Sequence, residues 1–261
     1  MIGVGTMEAF TRAGFAARGV MYCVIGFLAL WLDRMEDGAG AMEFLQGGAG
    51  SLVLAAMAAG FLGYGIWRLT EALIDTENHG DDAKGWAVRA GGAVSGLIHV
   101  GLSFAAAAFA TSQSGGSGDG AREGAATALS FPGGELALGV AAAGLAATGA
   151  YQLLKAWNAG FLKRLDGNAS NRSWVMWLGR AGYAARGVVF MTMAWFFWQA
   201  AQESSAGEAG GMGAAMEALP NTLQILVAVG LLLFGLFSFV EARYRRINDP
   251  HVLERLKRAA A

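Results

Sequence analysis

Several ionisable residues stand within or at the mouths of long apolar runs of this chain: Arg18, Glu71, His99, Lys155, Arg186 and Glu241. A charge inside a membrane is costly unless it is paired or in use. His99 is the side chain among them that titrates near neutral pH, so it could relay a proton or take a ligand. The plainer alternative is a histidine that donates to a backbone carbonyl or to Ser103, four residues on. Arg18 and Arg186 could hold an anion or pair with a carboxylate, and Glu71 and Glu241 are the carboxylates that end apolar runs.

Other chemistries have no pattern to carry them. There is no H-E-x-x-H and no two histidines at ligand spacing, which argues against zinc. Haem would rest on His99 alone, because His79 falls in a loop and His251 in the tail. No phosphate loop, dinucleotide fingerprint or serine nucleophile elbow occurs. The single Cys23 excludes an intrachain disulfide. A net charge of -1 gives no reason to expect nucleic acid. Asp166, Asn168 and Asn171 crowd a short loop and read as solvated. The expectation is a protein that is not an enzyme and carries no metal or cofactor.

The elements that must position these residues occur three times. RAGFAARGV begins at Arg12, RAGGAVSGL at Arg89 and RAGYAARGV at Arg180. The shared structural motif is Arg12, Gly14 and Gly19, then Arg89, Gly91 and Gly96, then Arg180, Gly182 and Gly187. Small residues at helical spacings of three and four form a stripe, which in lipid reads as a helix-helix contact. The motif arginine reads as an anchor that reaches the headgroups. The second half of each copy repeats as well. Gly60, Tyr64, Gly65, Trp67 and Glu71 correspond to Gly144, Thr148, Gly149, Tyr151 and Lys155, and to Gly230, Phe234, Gly235, Phe237 and Glu241.

Repeat two departs from the others mostly by polar exchange. Ser95 stands where the others have Arg18 and Arg186, His99 where they have Tyr22 and Phe190, and Lys155 where they have Glu71 and Glu241. The arginine and the glutamate disappear together. This predicts ion pairs within each hairpin, Arg18 with Glu71 and Arg186 with Glu241. A cavity, if present, would be lined by His99, Ser95, Tyr22, Thr148 and Lys155, with Arg18 and Arg186 beside them.

The chain is 55% hydrophobic and 15% charged, where soluble domains carry about 25% charged residues. Six runs are long enough to span a bilayer, near 13–32, 51–70, 87–110, 135–154, 174–199 and 222–241. All of its 19 lysines and arginines except Arg34 and Arg122 fall on one side of these runs. The positive-inside rule then places both termini in the cytoplasm. Three outer segments, GAMEFL from Gly40, GAATAL from Gly124 and GAAMEAL from Gly213, predict short helices on the outer membrane surface. The expected fold is all-α: an integral membrane six-helix bundle of three tandem hairpins (10–78, 86–160 and 174–244), pseudo-threefold about the membrane normal. Residues 245–261 read as a basic tail helix, started by Asp249 and Pro250, along the anionic inner leaflet.

The R-A-G-[FY]-A-A-R-G openings at Arg12 and Arg180, with their paired spans, resemble the bacterial membrane family called domain of unknown function 1206. That family is built from three two-helix copies. The resemblance covers Phe10 to about Tyr244 and implies the fold and a place in the bacterial cytoplasmic membrane. It brings no catalytic residue. Repeat two departs from the pattern at Gly92, Val94 and Ser95.

Two roles stay open on the sequence. One is passage of a small solute or ion through the bundle, favoured by the polar exchanges of repeat two. The other is a non-catalytic scaffold or accessory subunit, favoured by the small-residue stripes. The expected partners are the lipid bilayer and either other membrane subunits or further copies of the chain. A cavity reaching His99 favours passage, and an axis filled with large apolar side chains favours the scaffold.

Overall fold

The computed structural model describes residues 4–75, 80, 82–111 and 120–245. Ten α-helices follow in order: α1 (Val4–Trp31), α2 (Gly38–Phe44), α3 (Gly48–Ile74), α4 (Ala83–Ala110), α5 (Gly120–Leu129), α6 (Gly134–Asn158), α7 (Gly167–Ser170), α8 (Ser173–Gln202), α9 (Met212–Glu217) and α10 (Asn221–Tyr244). No strand occurs among the described residues; Leu165 and Arg245 form one isolated bridge. Five helices are long and apolar enough to cross a membrane: Ala9–Trp31, Gly48–Ile74, Gly85–Ala110, Gly134–Asn158 and Asn221–Tyr244. The exception among the long helices is α8, whose 30 residues include Arg180, Arg186 and tryptophans 174, 177, 195 and 198.

The second long helix of each repeat packs on the first long helix of the next. Thus α3 lies on α4, α6 on α8, and α10 returns to α1. The motif glycines explain why. A Cβ built on Gly19, Gly235, Gly65, Gly96, Gly149 or Gly187 would come within 2.9–3.2 Å of the carbonyl oxygen of the glycine opposite. The pairs are Gly19 with Gly235, Gly96 with Gly65 and Gly187 with Gly149. Backbones approach this closely only without side chains, and close packing replaces the hydrophobic drive that lipid removes.

Within the hairpins the picture is uneven. α1 packs on α3 and α8 on α10, but α4 and α6 are not packed together in this way. A Cβ on Gly14 would lie 2.3 Å from Tyr64 Cβ, and one on Gly182 would lie 2.6 Å from Phe234 Cβ. The matching Gly91 meets nothing within 4 Å. On the facing helices, Gly60 abuts Ala13 and Gly230 abuts Ala181 and Ala185, whereas Gly144 also meets nothing within 4 Å. The middle hairpin is open, because Thr148 replaces the aromatic that closes the other two.

Ile25, Leu28, Leu231, Phe234 and Phe237 are fully buried in the main core. The linker from α6 to α8 adds Phe161 and Leu165, with the Phe161 ring 5.3 Å from Tyr183 and 5.0 Å from Phe237. The short outer segments are helical, as their composition suggests, but two of them do not simply lie along a surface. Met42 of α2 and Met216 of α9 are fully buried in the main core, at the end of the bundle away from Arg12. In repeat two, Ala125 of α5 instead joins a separate small cluster with Leu138 and Ala200. The tail helix expected over 245–261 lies, beyond Arg245, outside the described residues.

Asp37 starts α2 by accepting hydrogen bonds from Ala39 N (2.8 Å) and Gly40 N (3.1 Å). Burial pushes its carboxyl above the usual aspartate value, and these two bonds pull it back. Replacing an N-cap aspartate removes a bond to an otherwise orphan N–H. Asp37→Ala is expected to cost about 1 kcal/mol, read as a lowered unfolding midpoint in detergent. An unchanged midpoint would mean that α2 is held by Met42 and its neighbours alone.

Candidate functional site

The three motif arginines do the same work at one end of the bundle. Arg12 Nη1 donates to Ala242 O (2.7 Å) and Arg243 O (2.6 Å). Arg89 donates to Ala72 O (2.9 Å) and Leu73 O (3.1 Å), and Arg180 Nη2 donates to Trp157 O (3.3 Å). Each arginine thus binds the last carbonyls of the helix from the preceding repeat. Those carbonyls have no partner within their own helix and carry its negative dipole end, so a cation there is favourable. The motif arginine is a staple between repeats as well as an anchor.

One ion pair also runs between repeats, which corrects the pairing expected from the sequence. Arg18 pairs with Glu241 of α10, not with Glu71. Its Nε donates to Ser238 Oγ (3.2 Å), and its guanidinium lies 4.8 Å and 5.0 Å from the ring centres of Phe15 and Phe234. Glu241 is 1% exposed and accepts a second bond from Arg245 Nη1 at 2.9 Å. Glu71 pairs with Arg68 on its own helix. Arg186 forms no ion pair with Glu241.

The physical reason is that α1 meets α10 and α3 through different faces. The glycine stripe that carries Gly19 faces α10, and Arg18 follows it there. By repeat position, Ser95 and Arg186 correspond to Arg18, and Glu71 and Lys155 to Glu241. Arg68, Gln152 and Ser238 are equivalent positions on α3, α6 and α10. At the α3–α4 interface the guanidinium missing at Ser95 is supplied by Arg68. At the α6–α8 interface Lys155 stands in place of the carboxylate, within electrostatic reach of Glu241 on α10.

Lys155 and Arg186 each rest on aromatic rings. Lys155 Nζ donates to Tyr183 Oη at 2.7 Å and lies 4.1 Å from the centre of that ring. The Arg186 guanidinium lies 4.5 Å from the ring of Phe234, 5.3 Å from Tyr22 and 5.4 Å from Phe190. Its Nε is buried with no hydrogen-bond partner. An aromatic contact with a cation is worth about 0.5–2 kcal/mol. A buried unpaired ion costs several kcal/mol. For Arg186 the three rings offset part of that cost.

His99 lies on α4 with Nδ1 2.7 Å from Ser95 O. That nitrogen carries the proton if the contact is a hydrogen bond, since a carbonyl only accepts. The ring sits 4.5 Å from Tyr64 and 5.9 Å from Phe61, and it is within electrostatic reach of Arg18, Arg186 and Arg68. The backbone-carbonyl alternative is therefore the geometry found, while Ser103 donates elsewhere, to Ala58 O at 2.8 Å. Tyr22 is buried edge-on to Phe234, with ring centres 5.0 Å apart. Thr148 is exposed on the open side of α6, its hydroxyl turned back to Gly144 O at 2.8 Å.

The structure thus brings Arg18, Tyr22, Arg186 and Lys155 around Tyr183 and Phe234, with His99 across the open hairpin. Sequence reasoning singled out these charges but missed Tyr183, Arg68, Ser238 and Arg245. The alignment of Arg68, Gln152 and Ser238 was a usable signal for two of them.

Three segments, residues 13–75, 90–159 and 181–245, match the family described as Domain of Unknown Function (DUF1206). The chain belongs to the DUF1206 family. A curated relative, the uncharacterised protein YxxB of Bacillus subtilis (strain 168), is 28% identical over 255 residues, covering 93% of this chain and 92% of the relative. No solved structure gives a significant match. The three matched segments coincide with the three repeats, so this DUF1206 chain carries its staple arginines and glycine contacts in every copy. The open hairpin belongs to its middle copy.

Proposed function

We propose that this DUF1206 protein is a non-catalytic scaffold or accessory component of the bacterial cytoplasmic membrane, with six spans in pseudo-threefold order and both termini in the cytoplasm. The observation that carries the reading is its filled axis. Between α1, α8 and α10, the rings of Tyr22, Tyr183, Phe234 and Phe237 meet edge to face, with Tyr183 5.3 Å from Phe234 and 5.8 Å from Phe237. Rings packed in this way favour a scaffold over a water path. Six spans are supported by the length of α8 and by its packing against both α6 and α10. Cytoplasmic termini are supported by the concentration of lysine and arginine at the end that carries the staple arginines. The partners on this reading are the bilayer and other membrane subunits or further copies.

Passage of a small solute or ion is the second reading, favoured by Arg186, which has no carboxylate partner among the described residues, and by His99 nearby. Against it, the cavities of about 320 Å³ beside Trp31, Asp33 and Gln224, and about 180 Å³ beside Arg122 and Glu208, do not include His99. Proteoliposomes carrying the protein are expected to pass protons, potassium, chloride and small organic anions no faster than empty vesicles, with His99→Ala indistinguishable from wild type. A wild-type flux that His99→Ala abolishes would replace the scaffold with passage. A photo-crosslinker at exposed Phe104 on α4 is expected to give one discrete adduct in native membranes.

A further inference from the structure

We propose that the cavity between α1 and α10, at the end of the bundle away from Arg12, binds a small organic ammonium ion. This goes beyond the scaffold reading and does not depend on it.

Two junctions between repeats differ at this end. Asp33 and Ser204 are each the second residue past a long helix, and both have a left-handed backbone, with φ of 53° and 49°. At the α6–α8 junction the Ser204 hydroxyl donates to Glu135 Oε1 at 3.1 Å, and Glu135 lies in the first turn of α6. In the register that pairs Gly144 with Gly230, Asn221 of α10 corresponds to Glu135. At the α1–α10 junction no hydrogen bond joins Asp33 to Asn221. Both instead line a cavity of about 320 Å³. Asp33 has no ion-pair partner among the described residues, and Arg34 beside it is bound to Glu36 at 2.7 Å.

The wall of the cavity selects the ligand. Gln224 Nε2 donates to Glu217 O (2.9 Å) and Leu219 O (2.8 Å), so both amide hydrogens are spent and Oε1 is what this side chain has left to offer. The Asp33 carboxylate is also an acceptor, and it is charged. No lysine or arginine lines the cavity. An ammonium group answers both oxygens, as a charge and as a donor of several N–H bonds. Trp31, stacked on Phe27 with ring centres 5.4 Å apart, adds an indole that attracts a cation. A bare metal ion fits this wall less well, because hard cations take about six or more oxygen ligands. The apolar part of the wall, with Leu30 and Ile225, suits the hydrocarbon body of an organic amine.

The test is isothermal titration calorimetry of the full chain in detergent with 2-phenylethylamine, 2-phenylethanol and phenylacetate, probes of similar shape that are positive, neutral and negative. Probe taken up by the detergent is common to wild type and variants and cancels between them. The amine is expected to bind about fivefold or more tighter than the alcohol, and phenylacetate not above the detergent background. Asp33→Asn removes the charge and keeps a residue that enters the left-handed turn readily. It should bring the amine down to the affinity of the alcohol. Trp31→Leu, which keeps Asp33, should weaken the amine by about threefold. Glu208→Gln, which removes a carboxylate beside the other cavity, should bind as wild type. Should Asp33→Asn fail to fold, the ranking of the three probes on the wild type, with Trp31→Leu, decides the matter. Equal binding of amine and alcohol, preference for phenylacetate, or undiminished amine binding in Asp33→Asn would each overturn the proposal.

Discussion

Glu241→Gln should destabilise the protein by about 3–5 kcal/mol, the range for removing one partner of a buried ion pair. Glu241 is almost wholly buried and neutralises two guanidiniums, Arg18 from α1 and Arg245 from its own chain end. Glutamine keeps the shape and one acceptor but leaves the Arg18 guanidinium without its carboxylate in a medium that cannot solvate it. The loss would appear as a lowered unfolding midpoint in detergent. The more specific readout is a double-mutant cycle. Arg18→Gln combined with Glu241→Gln should be clearly less damaging than the sum of the single changes, by about 1 kcal/mol or more. The same cycle between Arg18 and Glu71 should be close to additive. A larger coupling of Arg18 to Glu71 than to Glu241 would show that charges pair within hairpins after all.

The second large effect contrasts equivalent glycines. Gly182→Ala places a methyl group 2.6 Å from Phe234 Cβ and 2.7 Å from Phe234 Cα. Backbone stands in its way, so α8 and α10 must part. A cost of about 1–3 kcal/mol follows, the usual penalty for overpacking. Gly91→Ala makes the same chemical change at the same motif position and meets open space. It should be neutral or stabilising by up to about 1 kcal/mol, because alanine loses less conformational freedom than glycine in a helix. Thermal unfolding of the two variants in one detergent checks this. Equal penalties would mean that the middle hairpin is closed in the folded protein.

Much of the fold was legible in the residues alone, since apolar runs near bilayer length identify helices and the triple motif marks three copies. The stripe of small residues was correctly readable as a contact, but not its partner. A glycine at helical spacing says which face is bare and nothing about which helix will meet it. For the same reason Arg18 and Glu71, which vary together across the copies, looked like a pair. Both are lost in repeat two, and the structure shows that they belong to different interfaces, Arg18 to Glu241 and Glu71 to Arg68.

His99 illustrates the other limit. Its type and depth made it the first candidate for chemistry, yet its bond to Ser95 O and its packing on Tyr64 are those of a satisfied histidine. Lys155 attracted less notice and turns out to donate to Tyr183 Oη within electrostatic reach of Glu241. Local patterns in the chain were enough for the helices, the threefold repetition, the bare glycine faces and the list of costly charges. Which faces meet, that one hairpin stays open, and that Arg18 reaches Glu241 depend on helices far apart in sequence. Electrostatic and packing energies depend on distances in space, and periodicity along one helix carries no information about those.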